Sequence, residues 1–149
     1  YKAINNLFDG ETLSLHVRLT DYLAFSNVHT NLPNSYYDAA IKKIRERVSI
    51  PYFIIFSDDI EACKKNILLK SLKNVYFIDS NYPNYISLYL MSKCKHHIIA
   101  NSSFSWWGAY LNKNQTNQIV IAPNNLFEKD GPSTFDPNDL FLPHWTSIN

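Results

Sequence analysis

Blocks of apolar residues alternate with amphipathic stretches along this chain. "LSLHVRL" (Leu13 to Leu19) reads as a first strand, with His16 and Arg18 on one face and Val17 and Leu19 on the other. A loop containing Asn31, Pro33 and Asn34 follows. Ser35 is placed to cap a helix over "YYDAAIKKIRERV", where Ala40, Ile41, Ile44 and Val48 recur at helical spacing. "PYFIIFS" is a near-continuous apolar run, the mark of a strand covered on both faces. "DDIEACKKNIL" has acids in its first turn and lysines later, which suits one helix and its dipole. Then come a strand in "NVYFID", a helix in "YISLYLMSKC", a strand in "HHIIAN", a helix in "SFSWWGAYLNK" and a strand in "QIVIAP".

Strands alternating with helices predict a parallel sheet with right-handed crossovers. The expected fold is α/β, a Rossmann-like doubly wound domain with a mainly parallel sheet of about five strands. Residues 1–149 form one domain. The segment 123–149, rich in Pro, Asp and Asn, is expected to be a tail packed on its surface. Such sheets bind ligands beyond the carboxyl ends of their strands, so chemistry is expected where strands end.

Composition narrows the function. The chain has 149 residues, 46% of them hydrophobic, enough for a folded core. Its 10 Tyr, 9 Phe and 3 Trp mostly fill that core, and some can line a ligand cleft. In particular, Trp106, Trp107 and Tyr110 are expected to anchor their helix in the core. Net charge is +1 without a polybasic tract, which excludes general nucleic-acid binding and makes any anion site local. Apolar runs are too short to span a membrane, and no signal peptide is visible. The chain starts at Tyr1 without a Met, as a piece of a longer protein would. Cys63 and Cys94 lack metal spacing and read as free thiols. The expected location is cytoplasmic, with room for peripheral association at the inner face of the membrane. The sequons at Asn101 and Asn114 carry no weight without a secretory signal, and Asn101 would be partly buried at the end of a central strand.

Three strand ends carry candidate chemistry. Only Gly10, Gly108 and Gly131 are glycine, so neither the dinucleotide fingerprint nor a P-loop is present. Ser102, Ser103 and Ser105 fall instead at a strand-to-helix turn, where open backbone N–H groups and hydroxyls would seat an anion. Plain helix capping accounts for them about equally well. Arg18 either pairs with Asp21, Asp58 or Asp59, or forks onto a pyrophosphate. Asp21 would orient Arg18 or serve as acid or base. His16 is either a satisfied core histidine or a ligand contact. Ser57 and Asp58 could touch a ligand, although capping suits Asp58 better. His96 and His97 are adjacent on a strand and point to opposite faces, so no metal site is expected.

In this order, "HVRLTDY", "FSDDIEACKK", "LYLMSKCKHHIIANSSFSWWGAYLN", "QIVIAP" and the closing "PHW" resemble the α-1,2-fucosyltransferases of glycosyltransferase family 11. The resemblance runs from Leu13 to Trp145 and matches the C-terminal, donor-binding half of such an enzyme. It implies one wall of a GT-B cleft, with an acceptor domain ahead of Tyr1. It implies a GDP-fucose donor, a galactoside hydroxyl of a glycan as acceptor, and inversion without metal or other cofactor. By carry-over, Arg18 binds the β-phosphate and helps GDP leave, and His16 and Asp21 support it. Ser102, Ser103, Phe104 and Ser105 wrap the pyrophosphate, beside Asn101, Ser57, Asp58 and Ser87. The chain departs from the family at three positions. Leu19 stands where a second Arg is usual, removing a cation. Thr20 replaces a Gly, as in related α-1,6-fucosyltransferases. Ser87 replaces an acid that would accept two N–H bonds from guanine. These departures leave two alternatives open: a non-catalytic nucleotide-binding or scaffolding domain, and a transferase using another nucleotide sugar.

Overall fold

Six parallel strands lie side by side in the order β3-β2-β1-β4-β5-β6. They are β1 (Thr12–Val17), β2 (Tyr52–Ser57), β3 (Val75–Phe77), β4 (His96–Ile98), β5 (Val120–Pro123) and β6 (Thr146–Ile148). The helices are α1 (Asn34–Arg45), α2 (Ile60–Lys65), α3 (Ile67–Ser71), α4 (Asn84–Lys93) and α5 (Ser103–Tyr110), with a 3-10 helix over Lys2–Asp9. The computed structural model describes residues 2–19, 32–50, 52–124 and 139–149. Strand order reverses between β1 and β4, the switch point at which doubly wound sheets open a crevice. The fold is the Rossmann-like α/β domain expected.

Alternation along the strands builds two cores. Leu13, Leu15, Val17, Phe53 and Ile55 face α1, where Ala40, Ile41 and Ile44 meet them. Ile54 and Phe56 face the other way, onto Leu90 and Met91 of α4. Farther along that second face, Ile99, Val120, Ala122 and Ala109 pack with Trp145. Helices α4 and α5 lie so close that a methyl group on Gly108 would overlap the Met91 side chain.

The second face of β1 is polar although it is buried, carrying Thr12, Ser14 and His16. Buried polar groups need partners, and β4 and its flanks supply two of them. Thr12 Oγ1 accepts the Lys95 N–H at 3.1 Å. Ser14 Oγ lies 2.8 Å from His97 Nδ1, and His97 Nε2 lies 3.0 Å from the amide nitrogen of Asn112. An amide nitrogen only donates, so His97 carries its proton on Nδ1 and gives it to Ser14. His96 uses the opposite tautomer: its Nδ1 accepts the Ile119 N–H, and its Nε2 donates to Glu11 at 2.9 Å. The two rings thus serve different sides of the sheet. Among the described residues, no group of three His, Cys, Asp or Glu is placed to hold a metal ion.

Several expectations are corrected. The tail does more than wrap the surface, because its end becomes β6, a sixth strand; Asn124 N–H donates to Ile148 O at 2.8 Å, and Trp145 is buried. The helix expected over 58–68 is two, because the Asn66 side chain accepts from Leu68 and Leu69 N–H and starts a new helix there. Pro33, not Ser35, precedes α1, with no side-chain cap. Trp107 and Tyr110 do not anchor α5 in the core; both are exposed, and Trp106 instead turns inward toward Trp145. No helix among the described residues is long and apolar enough to cross a membrane.

Candidate donor-binding site

At the carboxyl ends of β1, β2 and β3 lies a cavity of about 190 Å³, closed on one side by the starts of α4 and α5. β1 contributes His16 and, just past its end, Arg18. β2 contributes Phe56, Ser57 and Asp58. The β3–α4 segment contributes Ile78, Asp79, Ser80, Tyr82, Asn84 and Ser87, and α5 contributes Phe104.

Asp58 organises the mouth of this cavity. Its Oδ1 accepts the Leu19 N–H at 2.8 Å, and its Oδ2 lies 3.4 Å from Arg18 Nε. β1 therefore ends at Val17, and the backbone of Leu19 turns to Asp58 instead of a neighbouring strand. Capping, expected of Asp58, falls to Asp59, whose Oδ1 accepts the Ala62 N–H at 2.9 Å to start α2. Ser57 Oγ accepts the Asp59 N–H at 3.0 Å and tightens the same turn. The ion pair holds a guanidinium at the mouth of the cavity, the group whose planar geometry matches an anion's oxygens.

His16 is 3% exposed. Burial, then the charge of Arg18, pushes its pKa down to about 4, against a smaller upward pull from Asp58. The ring is therefore neutral near pH 7. It tilts against Phe104 at 5.6 Å, and its Nδ1 has no partner among the described residues. A neutral imidazole here can exchange one hydrogen bond with a ligand but makes a weak base. Tyr37 hydroxyl donates to the His16 carbonyl at 3.1 Å, holding the strand end in place.

The three serines separate. Ser105 is fully buried; its hydroxyl accepts the Ala100 N–H at 3.2 Å and lies 3.2 Å from the Ser102 carbonyl. It staples the β4–α5 turn and does not line the cavity. Ser102 is the N-cap residue of α5 but makes no side-chain cap bond, and Ser103 is exposed in the first turn. Neither lines the cavity; they stand at the adjoining helix end, where open N–H groups favour an anion. Asn101 is buried in the same turn.

The structure thus brings His16, Arg18, Ser57, Asp58, Ser87 and Phe104 to one cavity. Asp21, Thr20 and His29 lie outside the described residues. Sequence reasoning missed Asp79, Ser80, Tyr82 and Asn84, which follow β3. The strand-end rule that found the other groups applies equally to "FIDSN". Asn84 and Ser87 are three apart on α4, so both face the cavity. Tyr82 joins Phe104 in the apolar cluster behind it.

Residues 5–149 match the family model described as Glycosyl transferase family 11. An alpha-1,2-colitosyltransferase of Escherichia coli is 42% identical over 131 residues, 85% of this chain and 44% of that protein. The O-antigen biosynthesis glycosyltransferase WbnK of Escherichia coli is 37% identical, over 84% of this chain and 42% of its own length. The galactoside alpha-(1,2)-fucosyltransferase 1 of Bos taurus is 29% identical, over 92% of this chain and 39% of its own length. The chain therefore spans less than half the length of each of these relatives. Among solved structures, the fucosyltransferase NodZ from Bradyrhizobium superimposes with a TM-score of 0.49 at 15% identity, covering 74% of this chain and 39% of that one.

Proposed function

This chain belongs to glycosyl transferase family 11, and on that premise we propose that it is the nucleotide-sugar-binding half of a fucosyltransferase-like enzyme. The donor is GDP-fucose, and the acceptor is a galactoside hydroxyl of a glycan. The observation that carries this reading is Arg18, held by Asp58 at the mouth of a cavity on the carboxyl edge of the sheet. Aromatic and polar residues of the β3–α4 segment line the cavity's far wall, where a base would sit.

In the proposed reaction the acceptor oxygen attacks the anomeric carbon from the face opposite the diphosphate. The bond from that carbon to the phosphate oxygen breaks, and GDP departs with the electron pair. The configuration inverts. Arg18 and the open N-terminus of α5 supply the positive field that the leaving diphosphate needs, in place of a metal ion. The acceptor proton goes to a carboxylate, for which Asp21 is the candidate in this chain. His16 supports the phosphate site as a neutral hydrogen-bonding ring. Because acceptor positioning supplies much of the rate, the chain alone is expected to bind donor without transferring sugar. The expected compartment is the cytoplasm, at or near the inner face of the membrane.

Titration calorimetry with GDP tests the reading. Saturable binding that is lost in Arg18→Ala supports it; a folded chain that ignores GDP overturns the donor assignment. A second reading keeps the site and changes the sugar. The relative at 42% identity is a colitosyltransferase, so a donor carrying colitose competes with one carrying fucose. Comparing donors within the longer enzyme separates the two.

A further inference from the structure

Beyond the cavity, α4 and α5 present an outward face whose chemistry the transferase reading does not use. Tyr85 and Tyr89 of α4 are 71% and 50% exposed. Trp107, Tyr110 and Leu111, on α5 and its C-cap, are 48%, 41% and 49% exposed. On α5 these positions follow Ser103 at helical spacing, so its solvent stripe is almost wholly apolar. The two helices are in tight contact at Gly108 and Met91, which places their outer faces side by side. One surface groove joins them, lined by Tyr89, Ser92 and Lys93 on one bank and Leu111 and Lys113 on the other. The platform is stiff: Tyr110 stacks on Trp106 at 4.9 Å and 13°, and Trp107 stands edge-on to both. The Trp106 indole N–H in turn donates to Leu140 O at 2.7 Å.

Charge on this part of the chain has one sign. From Ser80 to Phe127 there is no Asp or Glu, and the charged residues are Lys93, Lys95 and Lys113. That leaves 11 of the 14 basic residues against all 13 acidic ones elsewhere in the chain. Lys93 and Lys113 are exposed beside the aromatics, and Lys93 Nζ sits 5.3 Å from the Tyr89 ring centre. Lys95 is held by Glu11 at 3.1 Å. The nearest described acid along the chain on the other side is Asp139, next to Leu140.

We propose that the outward face of α4 and α5 docks on an anionic lipid bilayer. Trp and Tyr settle at the headgroup level, apolar side chains enter the acyl boundary, and flanking lysines meet anionic headgroups. A protein partner fits less well, because lysine is depleted from protein–protein interfaces while here it borders the aromatic patch. The proposal goes beyond the donor-site reading and does not depend on it.

The test is co-sedimentation of the 149-residue chain with phosphatidylcholine vesicles, with and without phosphatidylglycerol. Binding is expected only to the anionic vesicles, and it should weaken with salt. Lys93→Gln and Lys113→Gln should each lower the partition coefficient about fivefold. Trp107→Ala should also weaken it, and tryptophan emission should shift to the blue on binding in the unsubstituted chain. The lysines are exposed, so their variants should melt as the unsubstituted chain does and bind GDP equally. Absence of binding to anionic vesicles overturns the proposal, as does binding indifferent to the lysines. Self-association through Trp107 and Tyr110 that leaves no vesicle binding also overturns it.

Discussion

Asp58 accepts the backbone N–H of Leu19 at 2.8 Å, across 39 positions of sequence. The same carboxylate lies 3.4 Å from Arg18 Nε. One side chain therefore holds the chain leaving β1 and stands as an ion-pair partner to the guanidinium beside it. Asp58→Ala should weaken GDP binding about tenfold to a hundredfold, the range expected for losing a charged hydrogen bond. Asp58→Asn keeps an acceptor for Leu19 and should fall between. Calorimetry decides the sign. If Asp58→Asn tightened GDP binding, the carboxylate would be repelling phosphate and not positioning Arg18.

The serines at the head of α5 should divide by readout. Ser105→Ala removes the partner of a buried Ala100 N–H and should cost about 1–3 kcal/mol of stability. Ser102→Ala and Ser103→Ala should leave the urea midpoint unchanged, since no cap bond is lost. If the α5 N-terminus seats the diphosphate, each should weaken GDP binding by roughly 1 kcal/mol. Unchanged GDP affinity in the double variant would remove these hydroxyls from the site.

These three serines also mark the limit of what could be read from the chain. The order of strands and helices was legible because "PYFIIFS" and "QIVIAP" are apolar on both faces, as only covered parallel strands are. Arg18 and Asp58 were legible because they end such strands. Ser105 was not separable from Ser102, because burial at a turn is a property of packing and all three look alike in sequence. Asn66 was read as one more helical residue; its side chain grips two backbone N–H groups and breaks the helix instead. β6 has only three residues and no periodic signal, and it becomes a strand because β5 offers it an open edge. Asp79 and Asn84 sit in a turn rich in Asn and Pro, where polar residues are ordinary, and only the tertiary fold turns them toward the cavity.

Tyr36 bolts α1 to the end of β4 and to β5. Its hydroxyl donates to Ile99 O, just past β4, at 2.7 Å and lies 3.3 Å from Ile121 O of β5. Burial holds this phenol well above its ordinary pKa, so it stays a donor. Tyr36→Phe keeps the ring and removes the bond. It should lower stability by about 1–3 kcal/mol, measured by urea unfolding, with GDP affinity little changed. A silent substitution would mean that the carbonyls find other donors.

Two buried histidines should make the fold acid-sensitive. Burial lowers the pKa of His16 to about 4 and that of His97 to about 3, from 6.5 in each case. The unfolded chain therefore takes up these protons first. The stability conferred by keeping both rings neutral is fully present above pH 6.5 and falls as pH drops toward 4 and then 3. For His16 alone the loss is roughly 3 kcal/mol over its window. His97 adds to it, because a second proton on that ring would end its acceptance from Asn112. Urea midpoints measured in the ligand-free chain should be level near neutrality and decline steadily through the acid range. Ring NMR shifts should show both imidazoles neutral in the folded chain between roughly pH 5 and 6.5, clear of the His16 value of about 4. An imidazolium at His16 or His97 in that window, with the fold intact, would contradict the assignment and reopen His16 as a proton carrier at the donor site.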